Sequence, residues 1–323
     1  MQQIIKNLFR MVLFVLFLAT GAQAQNNTGN PFKVIPLGVL GGADESNLSC
    51  YMIGVNGTNN YVCMDGGTVY AGIAKGISNG VFTGNAADVL KQQIKGFCIS
   101  HAHLDHVAGL IINSPDDSSK NIYGMPYCLD ILKSHYFTWK NWANFTDDGD
   151  KPALKKYHYV PMAADSTIAV SGTNMNVTAF PLSHGNPYQS TAFLLQYQHN
   201  AILYLGDTGA DSIEKAPNLS LLWQKVAPLI ISHQLKAIFI EVSFANEQPT
   251  NKLFGHLTPA LLMQEMQSLS TITGKAALNN FPIVITHMKP VGNAEQRIQE
   301  QLLQSNTLAL QLVFPQQAVP LEF

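Results

Sequence analysis

Short apolar runs bounded by glycine or polar turn residues dominate the start of the chain and predict strands. Three such runs cover residues 32–40, 49–55 and 60–64. The last two flank Asn56-Gly57-Thr58-Asn59, a sequence typical of a hairpin turn. Apolar residues at helical spacing then predict a helix over 86–94, and the apolar run 96–100 predicts a buried strand.

Strands and helices alternate in the rest of the chain. Apolar runs predict strands over residues 174–182, 191–197, 201–205, 237–242 and 282–286. Helical spacing predicts helices over 106–112, 130–142, 219–233 and 294–303, and another that begins at Pro259 with Thr258 as its N-cap. This order suits two sheets packed face to face with helices outside, in a single domain over 25–323. Within it, the irregular segment 115–152 is interpreted as an insertion near the functional site.

Residues 1–24 are predicted to form a segment separate from the domain. Lys6 and Arg10 precede an apolar run at 11–19, and Ala22-Gln23-Ala24 offers small residues for cleavage. This pattern is typical of a secretory signal peptide over residues 1–24, which predicts a periplasmic or secreted protein. The alternative is a retained membrane anchor, but the apolar run is short for a bilayer span. No cysteine follows the run, which argues against a lipoprotein anchor.

Charge and composition narrow the class of partner. The chain of 323 residues is 46% hydrophobic, enough for one large α/β core. It has 19 basic and 21 acidic residues; removal of Lys6 and Arg10 leaves 17 basic residues, a net charge of −4. No basic run remains, so we expect no long nucleic acid polymer as partner. A small anionic substrate stays possible at a metal site, because metal ions bring their own positive charge.

The four cysteines do not form a Cys-x-x-Cys pair, so they do not indicate a zinc knuckle. Cys50, Cys63 and Cys98 lie in strand-like apolar runs, where buried free thiols are the usual state. Because an exported protein can carry disulfides, a bridge among these three and Cys128 remains an alternative.

The hexapeptide His101-Ala102-His103-Leu104-Asp105-His106 carries the strongest chemical signal. It places three imidazoles and one carboxylate directly after a predicted buried strand. Imidazole nitrogen and carboxylate oxygen are ligands of zinc and similar divalent ions. His101 and His103 can reach one ion, whereas Asp105 and His106 lie further round the turn and suit a second ion nearby.

Three further candidate ligands follow predicted strands, and each has glycine or small polar neighbours that permit a tight loop. They are His184, Asp207 and His287. Asp65 also ends a strand, and we expect it to accept hydrogen bonds from the metal loop. Four other histidines have no further ligand-type residues near them in the sequence and are interpreted as ordinary surface or packed residues: His135, His158, His199 and His233.

These residues resemble the metallo-β-lactamase superfamily over most of the mature chain. The longer stretch 101–114 matches the signature of the class II cyclic nucleotide phosphodiesterases throughout. Glu241-Val242-Ser243-Phe244 and Gly255-His256-Leu257-Thr258-Pro259 are also similar to that family. The resemblance implies a four-layer αββα sandwich and a small-molecule substrate, a 3′,5′-cyclic nucleotide such as cAMP or cGMP.

The resemblance also implies a site with two divalent metal ions, zinc being the expected element. His101, His103 and His184 would hold one ion; Asp105, His106 and His287 would hold the other. Asp207 would bridge the two together with a hydroxide. That hydroxide would attack phosphorus in line and expel the 3′-oxygen, which gives a nucleoside 5′-monophosphate.

The leaving 3′-oxygen needs a proton, and the resemblance suggests His256 as its donor, oriented by Glu241. The alternative is structural: His256 would cap the following helix, and Glu241 would brace a ligand histidine.

Two other classes of function stay open at this stage. One is a different hydrolase on the same scaffold: a tRNA-processing nuclease, a thioesterase similar to glyoxalase II, or a lactamase. The other is a metal-dependent binding protein without turnover. The sequence does not identify the base-binding pocket. Four aromatic residues of the insertion can either stack on a purine or pack in the core: Tyr136, Phe137, Trp139 and Trp142. Base preference and oligomeric state do not follow from the sequence.

Overall fold

Two mixed sheets pack face to face and carry helices on their outer faces, the four-layer αββα arrangement predicted above. The computed structural model describes residues 29–323, so the predicted signal peptide lies outside the described residues. Among residues 29–323, no helix has the length and apolar character needed to cross a bilayer.

The first sheet contains seven strands: β1 Phe32–Gly38, β2 Cys50–Val55, β3 Tyr61–Met64, β4 Ile94–Cys98, β5 Lys120–Gly124, β6 Tyr157–Pro161 and β14 Leu321–Glu322. Their order is β14-β1-β2-β3-β4-β5-β6. Strands β1 to β3 pair antiparallel, and β3 to β6 pair parallel. The predicted hairpin of β2 and β3 is therefore confirmed.

The second sheet also contains seven strands: β7 Thr167–Ala169, β8 Asn176–Ser183, β9 Gln189–Tyr197, β10 Asn200–Leu205, β11 Leu235–Glu241, β12 Pro282–Thr286 and β13 Gln311–Val313. They follow one another as β13-β12-β11-β10-β9-β8-β7. Strands β7 to β10 are antiparallel, whereas β10 to β13 are parallel. Strands β8, β10, β11 and β12 consequently run in one direction and end at one edge of the sheet.

The helices lie between strands along the chain: α1 Tyr70–Ser78, α2 Ala86–Gln92, α3 Leu104–Asn113, α4 Pro126–Ile131, α5 Asp211–Glu214, α6 Asn218–Ile231, α7 Pro259–Thr273, α8 Lys275–Leu278 and α9 Ala294–Ser305. A π-helical turn, Leu132–Tyr136, follows α4, and a 3₁₀ turn spans Thr250–Lys252. Helix α7 begins as predicted, with the Thr258 side chain accepting from the Leu261 backbone N–H and Pro259 in the first turn.

Strand alternation separates the two cores of the sandwich. In β2, Tyr51 and Ile53 pack between the sheets, whereas Cys50 and Met52 face the helices outside the first sheet. Both faces of the strand are buried, and its sequence is therefore apolar throughout. All four cysteines are buried thiols.

Two local predictions were wrong. The helix predicted over 130–142 is replaced by α4 and its π-helical turn, after which the chain is irregular from Phe137 onward. Phe137 packs in the core and ends the helix. Within the segment 115–152, Lys120–Gly124 forms a central parallel strand, so this part belongs to the sheet. Its polar first residue hid the strand: Lys120 is buried because its ammonium pairs with Asp117.

Candidate metal centre

The candidate ligands lie where strands of both sheets end. His101 follows β4 of the first sheet, His184 follows β8, Asp207 follows β10 and His287 follows β12. Because the three strands of the second sheet run in one direction, their carboxyl ends bring these side chains together at one edge. Helix α3 opens at the same place and contributes Asp105 from its first turn.

The Asp207 carboxylate lies at the centre of the cluster. Its Oδ2 atom is 3.3 Å from Nε2 of both His106 and His287, 3.7 Å from Nε2 of His184 and 3.8 Å from Nε2 of His101. The residue is only 2% exposed. One buried oxygen therefore faces nitrogen atoms from both halves of the predicted ligand set.

The predicted ligands around Asp207 form two groups, and a third group of possible ligands combines Asp207 and His287 with His256. His101, His103 and His184 share one side, with His103 Nδ1 lying 3.0 Å from His101 Nε2 and 3.3 Å from His184 Nε2. Asp105, His106 and His287 share the other, with Asp105 Oδ2 lying 3.1 Å from His287 Nε2. Two nitrogens that bind one tetrahedral zinc ion lie about 3.4 Å apart, which matches the spacing in the first group.

One buried nitrogen atom also has the surroundings of a metal ligand. The Nε2 atom of His106 has no hydrogen-bond partner among residues 29–323, although Asp207 lies close by. Buried polar atoms are nearly always satisfied, so an orphaned imidazole nitrogen that faces a carboxylate fits a metal ligand. The donor set and its spacing therefore suit divalent metal binding.

The outward nitrogen of each central histidine has its own partner. His101 Nδ1 lies 3.0 Å from Ser100 Oγ, His184 Nδ1 lies 2.9 Å from the Gly255 carbonyl oxygen, and His287 Nδ1 lies 2.9 Å from Ser243 Oγ. Such contacts fix the ring orientation, and the Gly255 carbonyl also fixes the tautomer of His184. Each Nε2 is thereby directed at Asp207.

Asp65 holds His106 in the same way and with more contacts. Its Oδ2 atom accepts from His106 Nδ1 at 2.8 Å, from the Ser100 hydroxyl at 2.9 Å and from the Tyr204 hydroxyl at 2.7 Å. Its Oδ1 atom accepts from the Ser100 backbone N–H at 2.7 Å. This agrees with the predicted role of Asp65 as an acceptor behind the metal loop.

Burial and charge set the protonation of the central groups. Burial lowers the pKa of His184 to about 4 and that of His101 well below its usual range, so both rings are neutral at pH 7. Burial alone would raise the pKa of the Asp207 carboxyl, but the imidazoles of His287 and His106 hold it well below its usual range. Neutral imidazoles and an ionised carboxylate are the forms that bind metals.

A second hydrogen-bonded network lies beside the ligands. Glu241 Oε1 is 2.7 Å from His256 Nδ1, and Glu241 Oε2 accepts from the Ser243 hydroxyl at 2.6 Å. Burial alone would lower the pKa of His256, but the Glu241 carboxylate raises it overall. Among the described residues, Nε2 of His256 makes no hydrogen bond and remains available to a molecule bound in the site. Glu241 and Ser243 therefore both orient His256. The sequence predicted this role for Glu241 but not for Ser243.

Two backbone features let His287 take its place. It has a left-handed conformation, φ 58°, which costs a non-glycine residue free energy and often marks functional sites. Gly41 lies against its ring, since a Cβ atom there would lie 2.3 Å from His287 Nδ1. Any larger residue at position 41 would push the imidazole away.

The structure brings all seven predicted metal ligands into one cluster, and Asp65, Glu241 and His256 border it. His158 pairs with Asp147 at the surface. Sequence reasoning missed the roles of Gly41, Ser100, Tyr204 and Ser243. For Ser243 a signal existed: it follows Glu241 by two residues in an extended segment, which directs both side chains to one side.

Comparison with known proteins shows the family to which the chain is similar. A family model described as cAMP phosphodiesterases class-II matches residues 82–312. A protein of Aliivibrio fischeri named 3′,5′-cyclic-nucleotide phosphodiesterase is 38% identical over 331 residues, which cover 98% of this chain and 100% of that protein.

Solved structures show the same fold. Unliganded yeast PDE1 superposes with a TM-score of 0.82 at 22% identity, covering 91% of this chain and 100% of that one. The metallo-beta-lactamase fold protein YhfI from Bacillus subtilis gives a TM-score of 0.61 at 16% identity, covering 91% and 100%. At these identities the likeness concerns the fold alone.

We predict that Asp65→Asn weakens metal binding without unfolding the protein. Asparagine tolerates the left-handed conformation of this position, φ 59°, but its amide cannot accept all three donors that now meet Oδ2. Losing such an orienting contact typically costs about 10–100-fold in metal affinity. Competitive titration against a chromophoric chelator measures the loss.

Tyr204→Phe is the matched control, since it removes one donor to the same oxygen and keeps the carboxylate. It should weaken binding less than Asp65→Asn. A folded Asp65→Asn variant with the affinity of the unmodified protein would show that Asp65 does not orient His106.

Proposed function

The chain belongs to the class-II cAMP phosphodiesterase family, and from this premise we propose that it hydrolyses the 3′-ester bond of 3′,5′-cyclic nucleotides, cAMP and cGMP, to yield nucleoside 5′-monophosphates. The observation that carries the proposal beyond family membership is the position of Asp207. Its Oδ2 atom lies within 3.8 Å of nitrogens from five histidines, on both sides of the cluster.

We infer that the two donor groups would hold two zinc ions and that Asp207 would be a ligand of both. Two ions in this arrangement would activate a water molecule at neutral pH and neutralise charge on a phosphoryl oxygen. The chain itself contributes rigid placement, because four of the five ligand histidines are held from behind: His101 by Ser100, His106 by Asp65, His184 by Gly255 and His287 by Ser243. Such placement orients the phosphate without reorganisation during the reaction.

His256 is proposed to supply the proton for the leaving group. Its Nδ1 is held by Glu241, and its buried ring lies beside His184 and His287 with Nε2 free. Before the transfer, the Glu241 carboxylate stabilises the doubly protonated, positively charged ring. As the bond between phosphorus and O3′ breaks, the Nε2 proton passes to O3′, and the ring becomes neutral while it keeps the Nδ1 proton that it donates to Glu241. The product then carries a neutral 3′-hydroxyl.

We also propose that the mature protein is exported. The support is the pattern of residues 1–24, a basic start followed by a short apolar run and Ala22-Gln23-Ala24. The mass of the protein recovered from its native compartment decides this, because cleavage after Ala24 leaves Gln25 at the N-terminus. An intact N-terminus would contradict export by this route.

A panel of substrates tests the activity and separates the alternatives. The purified protein should hydrolyse cAMP, cGMP or both to 5′-monophosphates, with 2′,3′-cyclic AMP, a thioester and a β-lactam turned over far more slowly. Chromatography of the products identifies which ester bond breaks. Faster hydrolysis of a thioester or lactam, or binding of cAMP without turnover, would refute the proposed function.

We predict that the native protein binds about two metal ions per chain and that Asp207→Ala loses both. Asp105→Ala should lose only the ion of its own group, because the other group keeps three histidines. Elemental analysis after gel filtration gives the stoichiometry. The matched control is His199→Ala, an exposed histidine in the turn between β9 and β10. An Asp207→Ala protein that retains both ions would show that the bridge is misassigned.

His256→Ala should separate proton delivery from metal binding. The metal content should be unchanged, and kcat on cAMP should fall by about 10²–10⁴-fold, the usual contribution of general acid catalysis. Bis-p-nitrophenyl phosphate has a much better leaving group and needs little protonation, so its hydrolysis should be much less affected. Equal losses on both substrates would leave His256 a positioning residue only.

A further inference from the structure

A cavity of about 300 Å³ opens beside the metal centre and has no role in the chemistry described so far. It is called the Phe244 cleft here, and its lining residues are Ser243, Phe244, Ala245, Glu247, Gln248, Lys289, Val291 and Ala294. Its volume lies at the lower end of the range for small-molecule sites.

We propose that the Phe244 cleft is the subsite for the nucleoside, with the Phe244 ring as the stacking platform for the base and Lys289 as a contact to the phosphate. The proposal rests on the proposed function and adds the residues that recognise the substrate.

The cleft is continuous with the catalytic groups. Ser243 lines it and also touches the site, with its hydroxyl 3.1 Å from His256 Nδ1 and 2.9 Å from His287 Nδ1. The Phe244 ring meets the His256 ring edge to face, with centroids 5.6 Å apart. A nucleotide whose O3′ faces His256 therefore has its ribose and base within reach of the cleft.

Phe244 has the surroundings of a ligand platform. It is only partly buried, and Val291 beside it is 67% exposed. Both side chains present apolar surface to solvent next to a polar centre, which is the usual composition of a small-molecule pocket. An aromatic ring accepts any base by stacking, and its hydrophobic contact is gained only when water is displaced by the base.

Lys289 lies between the platform and the metal centre. Its backbone N–H donates to the Ser243 carbonyl oxygen at 3.3 Å, and its Nζ atom lies 5.6 Å from the centre of the Phe244 ring. A Cβ atom built on Gly42 would lie 3.9 Å from this Nζ and 4.0 Å from Asp105 Oδ2. The ammonium group is therefore near the Asp105 side of the metal centre.

When a nucleotide binds, Lys289 first contacts the phosphate, and the base then stacks on the Phe244 ring. In the free protein the ammonium lies over the Phe244 ring, a weak cation–π contact at an exposed site. A phosphate at the metal centre attracts the ammonium more strongly, because a charge-assisted hydrogen bond exceeds an exposed cation–π contact. The flexible Lys289 side chain then leaves the ring face, and the base takes its place.

The test compares Phe244→Ala with Lys289→Met in the metal-loaded protein. Phe244→Ala should raise KM for cAMP about tenfold, as loss of one stacked base does, and leave kcat close to the unmodified value. It should weaken equilibrium binding of 5′-AMP and of uncharged adenosine by the same factor. Lys289→Met should weaken 5′-AMP and leave adenosine unchanged or tighter, since the ring face is then free.

Two controls make the result specific. Methyl p-nitrophenyl phosphate has no base, so its kcat/KM should not change in Phe244→Ala; a parallel loss would mean that the substitution damages the metal centre and would overturn the proposal. Phe254→Ala removes another exposed phenylalanine, 71% exposed and packed by its backbone against Gly185, and should bind adenosine normally. If Phe254→Ala loses adenosine and Phe244→Ala does not, the platform is misassigned.

The binding measurements also separate this inference from the proposed function. If the unmodified protein hydrolyses no cyclic nucleotide, the proposed function fails, whereas the adenosine data still report on the cleft. If cAMP is hydrolysed and Phe244→Ala keeps both the KM and the adenosine affinity of the unmodified protein, only the nucleoside subsite is refuted.

Discussion

The buried carboxylate of Asp207 is the constraint on which the site depends. An ionised carboxylate that is 2% exposed is tolerated only when opposite charge or strong donors surround it. Here the surroundings are imidazoles, and the Nε2 atoms of four of them face Asp207: His101, His106, His184 and His287. Burial keeps the rings of His101 and His184 neutral, so these two offer lone pairs. The protein has placed an anion among ligand lone pairs, and divalent cations are the partners that satisfy both at once. The hydrogen bonds to the outward ring nitrogens serve this metal-binding arrangement, because they prevent the rings from turning their N–H groups toward Asp207.

The same polar groups also fix the position of one sheet on the other. Asp65 follows β3 of the first sheet, and the Tyr204 hydroxyl that it accepts belongs to β10 of the second. Ser100 and Gly206 approach so closely that a Cβ atom on Gly206 would lie 2.3 Å from the Ser100 Cβ atom. Apolar packing between sheets tolerates small shifts more readily than directional hydrogen bonds do. The candidate metal centre therefore lies at an edge where polar contacts specify the registration of the two sheets.

Much of the fold and most of the candidate metal centre could be predicted from the sequence. His184, Asp207 and His287 were recognisable because a polar residue directly after an apolar strand is directed to the edge of a sheet. Gly41 and Tyr204 carried no such signal, since each acts on a residue distant in the chain and its role is visible only once the sheets are assembled. Strand β5 was missed because it begins with the polar residues Lys120 and Asn121. The burial of Lys120 depends on a pairing with Asp117 that a periodicity argument does not include.

The arrangement of residues after β11 and β12 separates chemistry from recognition. Glu241 and His287 lie at the strand ends, held by sheet hydrogen bonds and by Ser243, and their positions are set by the fold. Phe244 and Lys289 follow them by only a few residues but lie where the chain has left the sheet and side chains are partly exposed. Under the proposed nucleoside subsite, a substitution of Phe244 or Lys289 changes the surface offered to a nucleoside and leaves the strand ends in place, whereas a substitution of Ser243 or His287 alters the candidate metal centre itself. On this proposal, loops that begin at rigid strand ends allow base preference to vary while the geometry around Asp207 is kept.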